Sequence, residues 1–207
     1  MTLGPTEEPL DAVRFLGNRS SGQMGLAIAE SLLSRGWLVV AGAGPIRTPI
    51  PASFLHHPHA RVERFRTALD LEALLHRELP QADLVVMAAA VADFRPRSTA
   101  DGKLRRVDAG LQLDLEAVPD LLASTRGLRK PGSRIFGFAL EPANTLRDSA
   151  LYKLARKDLA GIVANPLETM DAPDIDGTLF LRDGRVLSPG RRLPKPDFAA
   201  WLTGVIA

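Results

Sequence analysis

Residues 17–44 read GNRSSGQMGLAIAESLLSRGWLVVAGAG. A loop of small residues led by an asparagine runs into a helical pattern, which ends on a short apolar run with glycines. Within 21–36, Met24, Leu26, Ile28, Leu32 and Leu33 mostly share one side of a helix, and Gly36 supplies a C-terminal stop. WLVVAGAG, 37–44, reads as a buried strand. The same alternation recurs outward from this unit. ARVERF (60–65) is a strand, TALDLEALLHREL (67–79) an amphipathic helix, and ADLVVMAAAV (82–91) a strand apolar throughout, as one covered on both faces should be. VPDLLASTR (118–126) is a short helix with proline near its start. RIFGFAL (134–140), NTLRDSALYKLARK (144–157) and LAGIVAN (159–165) repeat strand, helix, strand. GTLFLRDGRVL (177–187) is a hairpin turning on Asp183 and Gly184, and PDFAAWLTGVIA (196–207) is a closing helix. Between these units, FRPRSTADGKLRRV (94–107) is polar, basic and without helical period, so it reads as a mobile loop. GLQLDLEAV (110–118) alternates like a strand. The expected fold is α/β: a Rossmann-like three-layer sandwich with a mostly parallel central sheet, a small strand arm or flap and a C-terminal hairpin.

With 207 residues, 45% hydrophobic and 24% charged, the chain is expected to form one domain over 1–207 with a sizeable core. The absence of cysteine excludes disulfides, a thiolate nucleophile and Cys-ligated metals, and fits a reducing cytoplasm. No apolar run approaches the length of a membrane span, and the acidic start MTLGPTEEPL is not that of a signal peptide, so no membrane partner is expected. A net charge of +2 is too mild to argue for nucleic acid.

The unusual residues sit where strands end: GPTEEP, GAGP, AAAVADFRP, GFALEP and VANP. Open α/β sheets bind ligands outside the carboxyl ends of their strands, so these loops point to one pocket along one edge. Free N–H groups at the start of the 21–36 helix, with Ser20 and Ser21, form an anion site; an ordinary N-capped helix explains the loop equally well. No Gly-Lys-Ser/Thr follows, so the loop is not a Walker A motif, and it is not a clean GxGxxG. Asp93 can accept from a base or ribose or serve a metal, although turn aspartates are common. Lys103, in DGKLRR, can close over an anion, although most loop lysines are simply solvated. Lys153 and Lys157 share a helix face, and two adjacent ammonium groups call for an anion between them unless they form an ordinary basic helix end. The cluster His56, His57 and His59 lacks metal-ligand spacing and reads as a surface loop.

GPTEEPLDAVRFLGNRSSGQMG, AAAVADFRP, GKLRR, FGFALEP and KLARKDLAGIVANP occur in the order of one family. From Gly4 to about Gly184 the chain resembles phosphopantothenoylcysteine synthetase, the ligase of coenzyme A biosynthesis. In many bacteria that ligase is fused to a flavin-dependent decarboxylase. The resemblance implies joining of 4′-phosphopantothenate to L-cysteine. CTP or ATP, with Mg²⁺, first converts the carboxylate to an acyl-nucleotide and releases pyrophosphate; cysteine then displaces the nucleoside monophosphate. It implies catalytic roles for Asn18, on the acyl-nucleotide, and Lys103, in forming it. Nucleotide positions implied in the same way are Gly4, Ser20, Gly22, Gly25, Asp93, Pro119, Asp120, Leu121, Leu122, Phe138, Lys153 and Lys157. Asn18, Ser20, Ser21, Ala90 and Asn165 are implied substrate positions, with no metal ligand assigned to a side chain. The family also implies a homodimer, with 94–116 as flexible catalytic loop and dimer arm, and a separate decarboxylase as a partner.

Four departures stand out. Only Met1, Thr2 and Leu3 precede the GPT loop, which leaves about three residues for the first central strand. Gln23 stands where lysine is common, Val118 where asparagine often precedes Pro-Asp, and LEP follows Gly137-Phe138-Ala139 in place of AET. Two alternatives compete with the ligase: an impaired paralogue that binds nucleotide or a decarboxylase partner, and an NAD(P) oxidoreductase. The second requires a GxGxxG turn and an acid ending strand two, and the chain has neither.

Overall fold

The computed structural model describes residues 1–106, 108 and 110–207. Val107 and Ala109, inside the expected 94–116 arm, lie outside the described residues. In chain order the elements are β1 (Thr2–Leu3), β2 (Glu7–Pro9), β3 (Phe15–Gly17), α1 (Gln23–Ser34), β4 (Val39–Ala43), α2 (Ala52–Leu55), β5 (Ala60–Arg64), α3 (Ala68–Glu78), β6 (Leu84–Met87), β7 (Phe94–Pro96) and β8 (Leu115–Ala117). They continue with α4 (Leu121–Ser124), β9 (Arg134–Glu141), α5 (Leu146–Arg156), β10 (Gly161–Pro166), β11 (Asp174–Ile175), β12 (Thr178–Leu181), β13 (Val186–Leu187), β14 (Leu193–Pro194) and α6 (Lys195–Ile206).

Eight strands form the main sheet in the order β13-β12-β10-β9-β6-β1-β4-β5. The six from β10 to β5 are parallel, and the β12–β13 hairpin adds an antiparallel edge. Numbered among themselves, the parallel strands run 3-2-1-4-5-6, the doubly wound order of dinucleotide-binding sheets. The order reverses between β1 and β6, so the crevice beyond their carboxyl ends is the switch point.

The uninterrupted apolar runs follow from burial on both faces. Val86, Phe136, Val163 and Leu179 pack into one core with α1 and α6. Their neighbours Val85, Met87, Ile135, Ile162, Ala164 and Phe180 pack into a second core with α3, α4 and α5. Successive strand residues thus serve opposite layers, which makes the three-layer sandwich. α1 ends in a Schellman motif: Gly36, at φ 84°, donates to Leu33 O and Trp37 donates to Leu32 O. Thr67 and Asp70 form a capping box that starts α3.

β1 is a two-residue strand in the middle of the sheet, with Thr2 aligned to both Gly42 and Met87. The path continues past it: Ala90 N donates to Gly4 O at 2.8 Å, Thr6 N to Ala90 O at 3.2 Å, and Ala92 N to Thr6 Oγ1 at 3.0 Å. Below β1, a cavity of about 300 Å³ lies at the amino ends of β4 and β6. The Met1 α-ammonium is enclosed there and donates to Val40 O at 3.1 Å. Burial lowers its pKa to about 6, opposed by the Glu78 carboxylate.

The 94–118 region differs from the sequence expectation. Phe94–Pro96, expected within the loop, is β7 and pairs antiparallel with β8. The strand expected over 110–118 is confined to Leu115–Ala117. Pro96 opposes Leu115 at a position whose N–H the ladder does not use, and one further backbone bond, Arg97 N to Asp114 O at 3.0 Å, closes the pair. The strand expected over 82–91 is likewise regular only through Met87, after which the chain turns into the crevice.

Candidate functional site at the switch point

Two adjoining cavities occupy the switch point. The larger, about 600 Å³, is lined by Asn18, Ala90, Asp93, Phe138, Lys153, Lys157 and Asn165, and also by Pro119 through Leu122. The smaller, about 160 Å³, is lined by Ser20, Ser21, Gly22 and Gly25 from the start of α1. Ala90, Phe138 and Asn165 belong to both, so the two form one elongated site. Gly4 and Lys103 line neither cavity.

The glycines around the loop leave no room for a side chain. Gly22, at φ 78°, occupies the N-cap of α1, a conformation that disfavours side chains. A Cβ on Gly4 or Gly22 would overlap Ile46 Cγ2, and one on Gly25 would overlap Leu3 Cβ. Gly25 therefore lets α1 lie directly on β1, which brings the N–H groups of its first turn to the crevice.

Asn18 Nδ2 donates to Val91 O at 2.9 Å and reaches Ala90 O at 3.4 Å. This amide bridges the loop after β3 to the loop after β6. Asn165 Nδ2 donates to Thr169 Oγ1 at 2.9 Å. The side chain of Asp93 has no hydrogen-bond or ion-pair partner among the described residues, whereas its carbonyl accepts from Val118 N at 2.9 Å. Asp120 caps α4, accepting from Ala123 N at 3.3 Å.

The two lysines have partners that the sequence did not reveal. Lys153 Nζ lies 2.5 Å from Glu141 Oε1, and Lys157 Nζ lies 3.3 Å from Asp120 Oδ2. The hydrogen bond from Lys153 holds the Glu141 carboxyl below its ordinary pKa. The lysine pair thus has carboxylate counter-charges of its own and does not by itself require a bound anion.

Lys103 lies on a segment tethered outside the cavities. Leu104 N donates to Asp11 Oδ2 at 3.0 Å, and Arg14 Nη1 donates to Leu104 O at 3.2 Å. The Asp11 side chain is enclosed. Desolvation raises its pKa, but hydrogen bonds from Val13, Arg14 and Leu104 and the Arg14 charge outweigh that and hold it at about 2.

A family model described as the DNA/pantothenate metabolism flavoprotein C-terminal domain matches residues 1–207. The chain belongs to this family. The coenzyme A biosynthesis bifunctional protein CoaBC of Escherichia coli strain K12 is 34% identical to it over 199 residues, covering 93% of this chain and 47% of that protein. The CoaBC protein of Bacillus subtilis strain 168 is 34% identical over 188 residues, covering 89% and 45%. The chain therefore spans about half the length of the curated relatives it matches. A crystal structure of the C-terminal domain of a CoaBC protein superposes with a TM-score of 0.80 at 30% identity, covering 99% of this chain and 91% of that one.

The cavities also contain residues that sequence reading passed over. Tyr152 and Arg156 line the larger one, with the Arg156 guanidinium 5.9 Å from the Tyr152 ring centroid. Their place in LYKLARK, beside Lys153 and Lys157, was a usable signal. Arg19, Asp171 and Lys195 line the smaller cavity, where Arg19 pairs with Asp171. Burial lowers the Lys195 pKa, opposed by Asp171 and Asp174. Asp171 and Lys195 come from segments without a motif, whereas Arg19 sits within the Asn18–Gly22 stretch.

Among the described residues there is no group of three or more His, Cys, Asp or Glu arranged to hold a metal. Nor is any helix long and apolar enough to cross a membrane among the described residues.

Proposed function

We propose that the chain is a phosphopantothenate–cysteine ligase working through an acyl-nucleotide. The observation that carries this reading is the convergence of Asn18, Ala90, Phe138, Lys153, Lys157 and Asn165 on one elongated site at the switch point. In the first step a carboxylate oxygen of 4′-phosphopantothenate attacks the α-phosphorus of CTP or ATP. The α–β phosphoanhydride bond breaks and pyrophosphate leaves. In the second, the amine of L-cysteine attacks the acyl carbon, the nucleoside monophosphate leaves, and the amine proton passes to solvent.

The larger cavity suits the nucleotide and the smaller one the phosphopantothenate, with the reacting carboxylate near Ala90 and Asn18, where they adjoin. Lys153, Arg156 and Lys157 would offset triphosphate charge, and Lys103 would swing in from its tether to neutralise the leaving pyrophosphate. Asn18 is neutral, so its amide can approach an acyl-phosphate oxygen that a carboxylate would repel. Mg²⁺ would arrive on the triphosphate, which needs only one or two carboxylates from the protein; Asp93 is the unpaired one in the cavity.

This reading takes residues 1–207 as one ligase unit in the cytoplasm, paired as a homodimer and followed by a separate decarboxylase that acts on its product. Exposed Phe94, Leu111, Leu113 and Leu115 on the 94–116 arm, beside exposed Val13 and Phe15, form an apolar surface suited to a second copy. The deciding experiment is pyrophosphate release from 4′-phosphopantothenate, L-cysteine and Mg²⁺ with CTP and ATP in parallel. Release with either nucleotide, dependent on phosphopantothenate, supports the ligase. A melting shift with nucleotide but no release from folded protein would replace it with a binding-only paralogue.

A further inference from the structure

A separate cavity of about 760 Å³ lies at the opposite end of the sheet. Its floor is the amino end of β9 and the segments entering β10 and leaving β12, and Val205 and Ile206 of α6 close one side. Arg134 opens β9 here, four residues and roughly 13 Å along the strand from Phe138 in the candidate site. The two sites therefore share a strand and no lining residue.

Six cations line this cleft: Arg126, Arg129, Lys130, Arg134, Arg182 and Arg185. Only two carboxylates, Asp158 and Asp183, line it with them. Asp158 is shared by Arg182 at 2.7 Å and Arg129 at 3.7 Å, and Asp183 serves Arg185 at 2.8 Å. Lys130 pairs at 2.5 Å with Asp83, which is outside the lining. Arg126 and Arg134 have no carboxylate partner among the described residues.

Arg129 is the deepest of the six, its side chain 10% exposed. Its terminal nitrogens donate to Leu122 O, Lys157 O and Asp158 O at 2.7–2.9 Å, which ties together the segments after α4 and α5. That structural role leaves Nε buried without a partner. Burial depresses the Arg129 pKa, Asp158 opposes the shift, and Arg126 and Arg182 add to it by repulsion. Arg126 Nη2 donates to Arg156 O at 2.7 Å and Arg182 Nε to Leu159 O at 2.8 Å, so three arginines serve the end of α5, and Lys130, Arg134 and Arg185 are unexplained by that role. Close guanidinium groups in a concave site are matched best by phosphate oxygens, which accept forked pairs of N–H donors.

We infer that this cleft is a second anion site that binds a small molecule carrying two or more phosphate groups. The cleft has the volume of a small-molecule pocket, and two guanidinium groups without a carboxylate partner among the described residues, Arg126 and Arg134, beside a shared carboxylate exceed what one phosphate needs. The site is independent of the ligase reading.

The test is calorimetric titration of the full chain with two probes. Inorganic pyrophosphate represents a free polyphosphate and adenosine diphosphate a phosphate ester. The Lys153→Ala/Lys157→Ala variant suppresses binding in the candidate nucleotide cavity. In that variant at least one probe should bind at about one per chain, and more weakly as salt is raised. Adding Arg126→Ala and Arg134→Ala should weaken that binding at least about tenfold. Arg134→Glu alone should weaken it as much; Arg134 is exposed and makes no side-chain hydrogen bond among the described residues, so folding is preserved. Failure of both probes to bind at millimolar concentration, or affinity unmoved by either arginine variant, would overturn the inference.

Discussion

The carboxylate of Asp11 accepts the backbone N–H of Leu104 at 3.0 Å, one residue beyond Lys103. A lysine expected to act on a leaving pyrophosphate is thus carried on a segment with a fixed attachment point. Asp11→Asn should slow acyl-nucleotide formation about tenfold by loosening that attachment. Rapid-quench pyrophosphate release checks this, and an unchanged first step would remove Asp11 from the positioning of Lys103. Lys103→Gln should slow the same step more, and normal pyrophosphate release from it would remove the lysine's role.

The same carboxylate gives an acid limit. Its folded pKa of about 2 lies below the ordinary 3.8, so its contribution to stability is full above pH 4 and fades as pH falls from about 4 to about 2. Thermal melts across that window should show a steeper loss for the native chain than for Asp11→Asn.

Asn18 bridges two crevice loops through Val91 O. Asn18→Asp removes the donor and faces a carboxylate with carbonyl oxygens. It should leave pyrophosphate release measurable while slowing amide formation about 10²–10³-fold. Labelled acyl-nucleotide should accumulate; no accumulation, with both steps equally slow, would assign Asn18 to loop structure alone.

Lys153→Ala leaves Glu141, the partner of a lysine that lines the larger cavity, without its counter-charge. The KM for the triphosphate should rise about tenfold or more, with melting changed little because the pair is partly solvated. Glu141→Gln should move KM the other way, by freeing the ammonium for the ligand. A rise in both variants would point to the ion pair, not the lysine, as the binding determinant.

With a free α-amino group at Met1, stability should rise with pH between 6 and 8. The unfolded amine, near 8.0, holds its proton through that window while the folded one, at about 6, has lost it. The span corresponds to roughly 2–3 kcal/mol, developed as pH rises and lost as it falls back toward 6. Denaturant melts at pH 6 and 8 measure it, and acetylating the terminus should abolish the difference.

The strand–helix alternation was legible because the sheet is covered on both sides, so β6, β9 and β10 show as unbroken apolar runs. The end of α1 was legible because Gly36 is a local signal, while the Thr67–Asp70 capping box of α3 went unread. The β7–β8 pair was not. Three residues including Pro96 carry no period, and their partner lies some twenty positions away. The counter-charges Glu141 and Asp120 escaped for the same reason: each reaches its lysine from a different element. Lys195 and Asp171 sit in segments without a motif; Lys195 reaches the smaller cavity at the start of α6, which packs on α1, and Asp171 on the turn between β10 and β11.

β1 also governs the order in which the sheet can assemble. It is the seam between the β4–β5 pair and the strands from β6 to β13, and among the described residues no other strand joins the two halves. Each half is stitched largely by near neighbours in sequence. The seam closes only when Thr2 finds Met87, 85 residues away, as well as Gly42. Contacts that distant carry the largest loop-closure cost, so the central strand is the last to zip and its amides should exchange only on global opening. The crevice at the switch point is therefore assembled in that final event, and a chain with both halves formed but the seam open would have no binding site.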